Sequence, residues 1–359
     1  MTGTDDTLPL DGAYLGGEHE EVGGIWRKAS GLRAIVAIHS TALGPSLGGT
    51  RFRPYPTVAE ALADVLRLSK AMSYKAAMAG LDQGGGKAVI IGDPADLRSP
   101  ALLEDYAAFL DTFGGRYVTA EDVGTTQADM DELGKHTRFV AGRSVGAGGS
   151  GDPSPVTSYG VYRAIQATAS VLWGTDSLAG RTIAISGVGK VGGTLADLAA
   201  ADGATLVVAD VDEEAVTRCV DELGATAVGI DAIHRTECDL FAPCALGGAI
   251  NDKTVLELAC QAVVGAANNQ LSRRELATVL RNRGIAYVPD YVANAGGIIN
   301  IAYEQGGYDP VAAREHVGRI FDEVTNLFEE AARTGETLEA IADRTAEARM
   351  AAATRPASG

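Results

Sequence analysis

A chain of 359 residues, 46% hydrophobic and 21% charged, is too long for one ordinary core and suits two globular domains. Its formal net charge of −17 argues against nucleic acid or an anionic lipid surface as partner, and no apolar run reaches the length of a membrane span. The opening MTGTDDTLPLDG lacks the basic start and apolar core of a secretory signal, and Cys219, Cys238, Cys244 and Cys260 show no metal-ligand spacing, so a cytoplasmic, metal-free protein with reduced thiols is expected.

Residues 1–30 carry no assignable pattern; an edge strand and unstructured chain are the alternatives. Ala34–Ile38 reads as a strand. Thr57 to Met72 reads as an amphipathic helix, with Thr57 and Glu60 placed for a capping box and Val58, Ala61, Leu62, Val65, Leu68 and Met72 at helical spacing. Ala88–Ile91 and Tyr117–Ala120 read as short strands. The run Gly146–Gly151 has almost no side chain to pack and is the expected interdomain hinge. It separates a first α/β domain, residues 1–145, from a second, 151–330. A helical segment, 331–359, ends the chain, with a return onto the first domain as one option.

A helix from about Val156 to Trp173 opens the second half. Strands at Thr182–Ser186, Thr205–Ala209, Asp239–Ala242, Ala262–Gly265 and Ile285–Val288 then alternate with helices, the pattern of a doubly wound parallel sheet. From Val311 the chain reads as helix, broken at Gly335.

Gly187-Val188-Gly189-Lys190-Val191-Gly192 matches G-x-G-x-x-G. The motif alone is weak, but here it follows a strand, opens a helix, and is followed about twenty residues on by Asp210 at the end of the next strand. That context points to a dinucleotide. The glycines admit a pyrophosphate to backbone N–H groups, and Asp210 would accept from the ribose hydroxyls of NAD while repelling the extra phosphate of NADP.

Lys75 and Lys87 lie in MSYKAAMAGLDQGGGKAV among apolar and small residues. Burial penalises a charged ammonium, which is how a lysine becomes a general base near neutral pH; a solvated surface group is the alternative. Three glycines before Lys87 permit close approach of backbone to a ligand, and the segment is not a nucleotide P-loop. Asp122 closes a strand in TAEDVGTT, placed either to reach into a site or to cap a turn. Asn268, Asn269 and Asn294 each offer a donor and an acceptor, with a cap the better reading for Asn269.

Taken together, LGPSLGGTRF, MSYKAAMAGLDQGGGKAVIIGDP, TAEDVGTTQADMD, GDPSPVTSYGVYRA, GVGKVG, APCALGG, GAANNQL and PDYVANAGG resemble the glutamate/leucine/phenylalanine/valine dehydrogenase family, from about residue 30 to about residue 310. The wording is most similar to the leucine and valine members. The resemblance implies an N-terminal substrate and assembly domain, a C-terminal Rossmann domain, and catalysis in the cleft between them. It implies Lys87 as the catalytic base, Lys75 on the substrate carboxylate with backbone around Gly48 and Gly49, and Asp122 handling protons on the amine and iminium. Gly187, Gly189, Lys190, Val191, Gly192 and Asp210 would bind NAD. Thr157, Ala245 and Asn268 would lie near the nicotinamide ribose or carboxamide, and Asn294 would bond the substrate. A homo-oligomer is expected because relatives assemble through the first domain.

By the same resemblance Leu47, Ala120, Ile298 and Ile301 line the side-chain pocket. All are aliphatic and none offers a cation to a glutamate side chain, which leaves valine, leucine or isoleucine, with phenylalanine as the alternative. One methylene is worth only about 1–3 kcal/mol, so the branched-chain substrates are not separable on this basis. Two other classes compete. An idle NAD-binding regulator is disfavoured by the presence of Lys75, Lys87 and Asp122. A 2-hydroxy-acid dehydrogenase wants an acid/base histidine with a carboxylate and an arginine clamp, and none of the five histidines stands in such a setting.

Overall fold

The computed structural model describes residues 17–304 and 306–353, which divide into two compact units. The first comprises the chain to Asp152 together with Ile301–Tyr308 and the residues from Ala346; the second comprises Pro153–Asn300 and Asp309–Thr345. Ile301 therefore belongs to the first unit and Ile298 to the second.

In the first unit, β1 (Glu21–Arg27), β2 (Leu32–Ser40) and β3 (Ser46–Arg53) precede α1 (Val58–Met78) and β4 (Gly84–Ile91). Then come α2 (Pro94–Leu97), α3 (Pro100–Asp111), β5 (Tyr117–Glu121) and α4 (Gln127–Leu133). The five strands form one sheet in the order β1-β2-β4-β3-β5. β2 runs antiparallel to both β1 and β4, and β3 runs parallel to both β4 and β5. Helices cover both faces, so the central strands read as continuous apolar runs whose alternate residues serve different cores. Ile35, Ala37, Val89 and Ile91 pack with Ala61, Leu62 and Val65 of α1. Ala34, Val36, Ile38, Ala88 and Ile90 pack on the other face with Leu102, Tyr106 and Leu110 of α3 and with Tyr117.

α1 starts where its cap predicts, the Thr57 hydroxyl accepting from the Glu60 N–H, but it runs six residues beyond Met72 and so carries Lys75 in its last turn. β4 begins four residues before Ala88, because Gly84, Gly85 and Gly86 are strand rather than loop. β3 was not legible: its Gly48–Gly49 pair spoils the alternation that marks a strand. β1 is an edge strand within the unassigned N-terminal stretch, of which residues 1–16 lie outside the described chain. The glycine run Gly146–Gly151 lies just before the unit boundary. Gly149 and Gly151 donate to Ser144 and Arg143 carbonyls, and Ser150 donates from N–H and hydroxyl to Glu304.

The second unit opens with α5 (Ser154–Trp173), β6 (Thr182–Ser186), α6 (Lys190–Ala201), β7 (Thr205–Ala209), α7 (Glu213–Leu223) and β8 (Thr226–Ala227). It continues with β9 (Leu240–Pro243), α8 (Thr254–Glu257), β10 (Ala262–Val263), α9 (Leu276–Asn282), β11 (Ala286–Tyr287) and α10 (Asp290–Ala293). After α11 (Gly296–Ala302) come α12 (Pro310–Gly318), α13 (Ile320–Thr334) and α14 (Leu338–Ala353). The six parallel strands lie in the order β11-β10-β9-β6-β7-β8, which starts at β6, winds out through β7 and β8, and returns to add β9 on the other side. That is the Rossmann order, with its switch point between β6 and β9. Gly335, with φ of +73°, ends α13 in the left-handed conformation that breaks the C-terminal helical run.

Candidate active site

The first unit gathers its chemistry on the α1 face of the sheet. Alternation along β4 puts Lys87 on the side of Val89 and Ile91, under α1. Its side chain is buried, and its ammonium lies 2.5 Å from Oδ2 of Asp122, just beyond the end of β5. The Asp122 carboxylate thus meets Lys87 and Arg51, and it also accepts from the backbone N–H of Val123. Burial pushes the Asp122 carboxyl up, but the charges of Lys87 and Arg51 outweigh it and hold the group at about 2. Arg51 lies 3.5 Å from the same oxygen and 2.9 Å from Asp64, so it is itself anchored. Arg51 was not singled out from the sequence. Its place two residues after Gly49, on the same face of β3, was the available signal.

Gly48 and Gly49 border this pair. A Cβ at Gly48 would lie 1.8 Å from the Gly86 carbonyl oxygen, and one at Gly49 would lie 2.8 Å from Asp122 Cβ. Side chains at either position would push the strands apart. The Gly48 position also faces Met72 at 3.4 Å, and a Cβ at Gly85 would strike the Ser73 backbone N at 2.0 Å. α1 therefore lies directly on the glycine segments. Lys75, one turn beyond Met72, is on the helix face that meets them.

Two of the expected pocket residues come together in this unit. A Cβ at Gly142 would stand 3.8 Å from Ala120 Cβ and 3.9 Å from Ile301 Cδ1, so Gly142, at φ +75°, separates them. The Gly142 N–H donates to Glu304 at 2.9 Å, which ties that turn to the 301–308 segment. Leu47 and Ala120 are buried. Gly142 and Glu304 were not found by sequence reasoning, because neither sits in a motif. A cavity of about 940 Å³ in this unit is bordered by Asp111, Lys135, His136, Arg138 and Arg143 and includes neither Lys87 nor Asp122. Side-chain chemistry, not volume, locates the site.

In the second unit the three motif glycines do three different things. Gly187 takes φ +95° at the end of β6, and a Cβ there would meet Ala245 Cβ at 2.7 Å. Gly192 packs the first turn of α6 against the Gly187 carbonyl, where a Cβ would lie 1.9 Å away. Gly189, the N-cap of α6, has nothing within 4 Å of that position. Open space before a helix N-terminus is what a pyrophosphate requires. Lys190 and Val191 begin the helix, and Lys190 is exposed. Asp210 follows β7, and its carboxylate accepts from the N–H of Val188 at 2.6 Å and of Asp212 at 3.0 Å. The residues thus fit a dinucleotide: an open glycine at the helix start and a carboxylate beside it.

Thr157, in the first turn of α5, would touch side chains placed on Gly296 and Gly297, which explains the glycine pair of NAGG. Asn294 is buried and donates from its amide to the Ala266 carbonyl at 3.0 Å and to Oδ1 of Asn268 at 2.8 Å. Asn268 is exposed, as is Ala245, and Ile298 is buried in α11. Asn269 adopts a left-handed φ of +53°, a turn conformation that asparagine tolerates.

Residues 21–139 match the profile of the Glu/Leu/Phe/Val dehydrogenase dimerisation domain, and residues 148–223 and 211–357 match the glutamate/leucine/phenylalanine/valine dehydrogenase profile. The chain belongs to the glutamate/leucine/phenylalanine/valine dehydrogenase family. Among members of this dehydrogenase family it is 51% identical over 341 residues to the valine dehydrogenase of Streptomyces coelicolor, covering 94% of this chain and 93% of that one. It is 47% identical over 334 residues to the leucine dehydrogenase of Bacillus cereus, covering 93% and 91%. The solved L-tryptophan dehydrogenase of Nostoc punctiforme superposes with a TM-score of 0.84 at 39% identity, over 94% of this chain and 98% of that one.

Proposed function

We propose that this dehydrogenase catalyses the NAD-dependent, reversible oxidative deamination of a branched-chain L-amino acid to its 2-oxo acid and ammonia. The observation that carries the reading is the ion pair of the buried Lys87 with Asp122, set against Gly48 and Gly49. The valine and leucine dehydrogenases at about half identity support the substrate class.

Lys75 and the backbone at Gly48 and Gly49 would hold the substrate carboxylate. Gly187, Gly189, Lys190, Val191, Gly192 and Asp210 would hold NAD, with Thr157, Ala245 and Asn268 toward its nicotinamide end and Asn294 toward the substrate. Bound NAD supplies the acceptor for the hydride that leaves Cα. Lys87, once its own proton has passed to solvent, takes a proton from the water that attacks the resulting iminium carbon. Asp122 passes protons to and from the nitrogen, so that the carbinolamine collapses with ammonia leaving. Leu47, Ala120, Ile298 and Ile301 would face the substrate side chain, and their aliphatic surface suits valine, leucine or isoleucine.

The free thiols favour a reducing, cytoplasmic setting, and the dimerisation-domain match favours a homo-oligomer. An aromatic substrate is the second reading, favoured by the likeness to a tryptophan dehydrogenase. The test is NAD reduction with a panel of L-amino acids at mildly alkaline pH, with NADP alongside. Fast turnover of valine, leucine or isoleucine with NAD is expected. Turnover of phenylalanine or tryptophan alone would keep the mechanism and replace the pocket reading. No turnover despite NAD binding would leave an idle regulator.

A further inference from the structure

Gly48 and Gly49 mark a gap in the sheet. The parallel ladder between β3 and β4 pairs Ser46 with Gly84 and Leu47 with Gly85, then resumes only at Thr50 with Ala88. On the other side β3 stays in register, with Gly48 opposite Thr119 and Gly49 opposite Ala120. The Gly48–Gly49 peptide thus lacks a ladder partner on the strand that carries Lys87.

Besides its ladder with β5, this peptide is held from the opposite face of the sheet. Tyr117, fully buried in the α3-side core, donates from its hydroxyl to the Gly48 carbonyl at 2.6 Å. Its ring lies where a Cβ of Gly86 would stand, 2.7 Å away, which accounts for one of the three glycines before Lys87. The hydroxyl sits in a buried polar layer in which Thr50 bonds both Tyr106 and Thr119 at 2.5 Å. Burial raises the Tyr117 phenol well above its ordinary value, so it stays protonated and remains a donor.

The carbonyl of Gly48 and the N–H of Gly49 belong to one planar trans peptide and point in opposite directions. If the oxygen is drawn toward Tyr117 on the α3 side, the Gly49 N–H is turned toward the α1 side, where Lys87 and Asp122 lie. A donor on the carbonyl also polarises the peptide and strengthens its N–H as a donor.

We propose that Tyr117 is a positioning residue for substrate binding: through the Gly48 carbonyl it aims and polarises the Gly49 N–H as a hydrogen-bond donor to the substrate carboxylate. The inference rests on the reading of Gly48 and Gly49 as part of the carboxylate site. Tyr117 never touches substrate; it works through the sheet from the side away from the chemistry.

The test is Tyr117→Phe in the full-length enzyme. The KM of the amino acid should rise about five- to twentyfold, with kcat within about threefold and the KM of NAD unchanged. Inhibition by 3-methylbutanoate, a carboxylate without the amine, should weaken by the same factor. Inhibition by isobutylamine, an amine without the carboxylate, should not move. A purely structural loss would lower kcat and shift both inhibitors together, and that result would overturn the proposal. Replacing Tyr117 with 3-fluorotyrosine, which keeps the hydroxyl but makes it a stronger donor, should lower the amino-acid KM below that of the unaltered enzyme; an unchanged or raised KM counts against the proposal. Lys75→Met is run in parallel. If Lys75→Met weakens the carboxylate inhibitor and Tyr117→Phe does not, only the role of Tyr117 falls. If neither does, the carboxylate site itself is misplaced and both readings fall.

Discussion

The glycines on the sheet of the first unit and Gly189 at the first turn of the second serve opposite geometries. At Gly48, Gly84 and Gly85 an added Cβ would meet protein atoms at 1.8, 1.9 and 2.0 Å. At Gly189 it would meet nothing within 4 Å. In the first unit the missing side chain lets strand meet strand and helix meet strand, so that lysine, aspartate and arginine from distant segments converge. At Gly189 it leaves open space in front of a helix end. One glycine-rich appearance in sequence therefore covers two physical roles, and only the neighbours tell them apart.

The sharpest way to separate the two regions is Lys87→Ala. Loss of the base should lower kcat by about two to four decades, while NADH affinity, read by fluorescence titration, stays within about twofold. Retained turnover would sink the assignment of Lys87. The glycine contrast itself breaks if Gly48→Ala and Gly189→Ala behave alike. The first should destabilise the fold by about 3 kcal/mol, visible as a lowered Tm, because a backbone oxygen cannot swing aside as a side chain can. The second should leave Tm nearly unchanged and weaken NAD binding about tenfold in calorimetry, since it fills only ligand space.

A smaller effect is expected at Asp210, whose carboxylate accepts from the N–H groups of Val188 and Asp212 and which we propose for the ribose of NAD. Asp210→Asn removes the charge and keeps an acceptor. It should cut the preference for NAD over NADP about tenfold, measured as the ratio of kcat/KM values.

The smallest effect concerns stability alone. His39 is held at about 4, first by burial and then by the neighbouring His19, while its Nδ1 bonds the Ser73 hydroxyl at 2.8 Å. Its folded value lies below its unfolded one, so the unfolded chain binds the extra proton. The native state keeps its full stability above about pH 6.5 and loses it as the pH falls toward 4. His39→Gln should flatten that acid limb by about 1–2 kcal/mol, discounted for the solvent that still reaches the ring, in denaturant titrations across the window.

The ease with which each region could be read from sequence follows the same contrast. The dinucleotide turn is contiguous: strand, glycines, helix and acidic residue come within one β-α-β passage, and Thr182–Ser186 and Thr205–Ala209 were legible to the residue. Lys87 and Asp122 were legible as chemistry because they stand in long motifs, but their pairing required the fold. Arg51, Gly142, Glu304 and Tyr117 were not legible. Each acts through a contact with a segment far along the chain, and no local periodicity records such a contact. β3 was missed for a related reason. The two glycines that make the site possible are the residues that erase the strand pattern.

The chain passes between its two units four times, after Asp152, Asn300, Tyr308 and Thr345. The described chain both starts and finishes in the first unit, so the second lies between its segments, interrupted by one short return that brings back Ile301 and Glu304. No single cut in the gene separates the two. A fragment ending at Asp152 would keep Lys87 and Asp122 but lose Ile301, the neighbour of Gly142, and the carboxylate of Glu304 that Gly142 and Ser150 bond. Moving either unit into another protein would therefore require more than one joint.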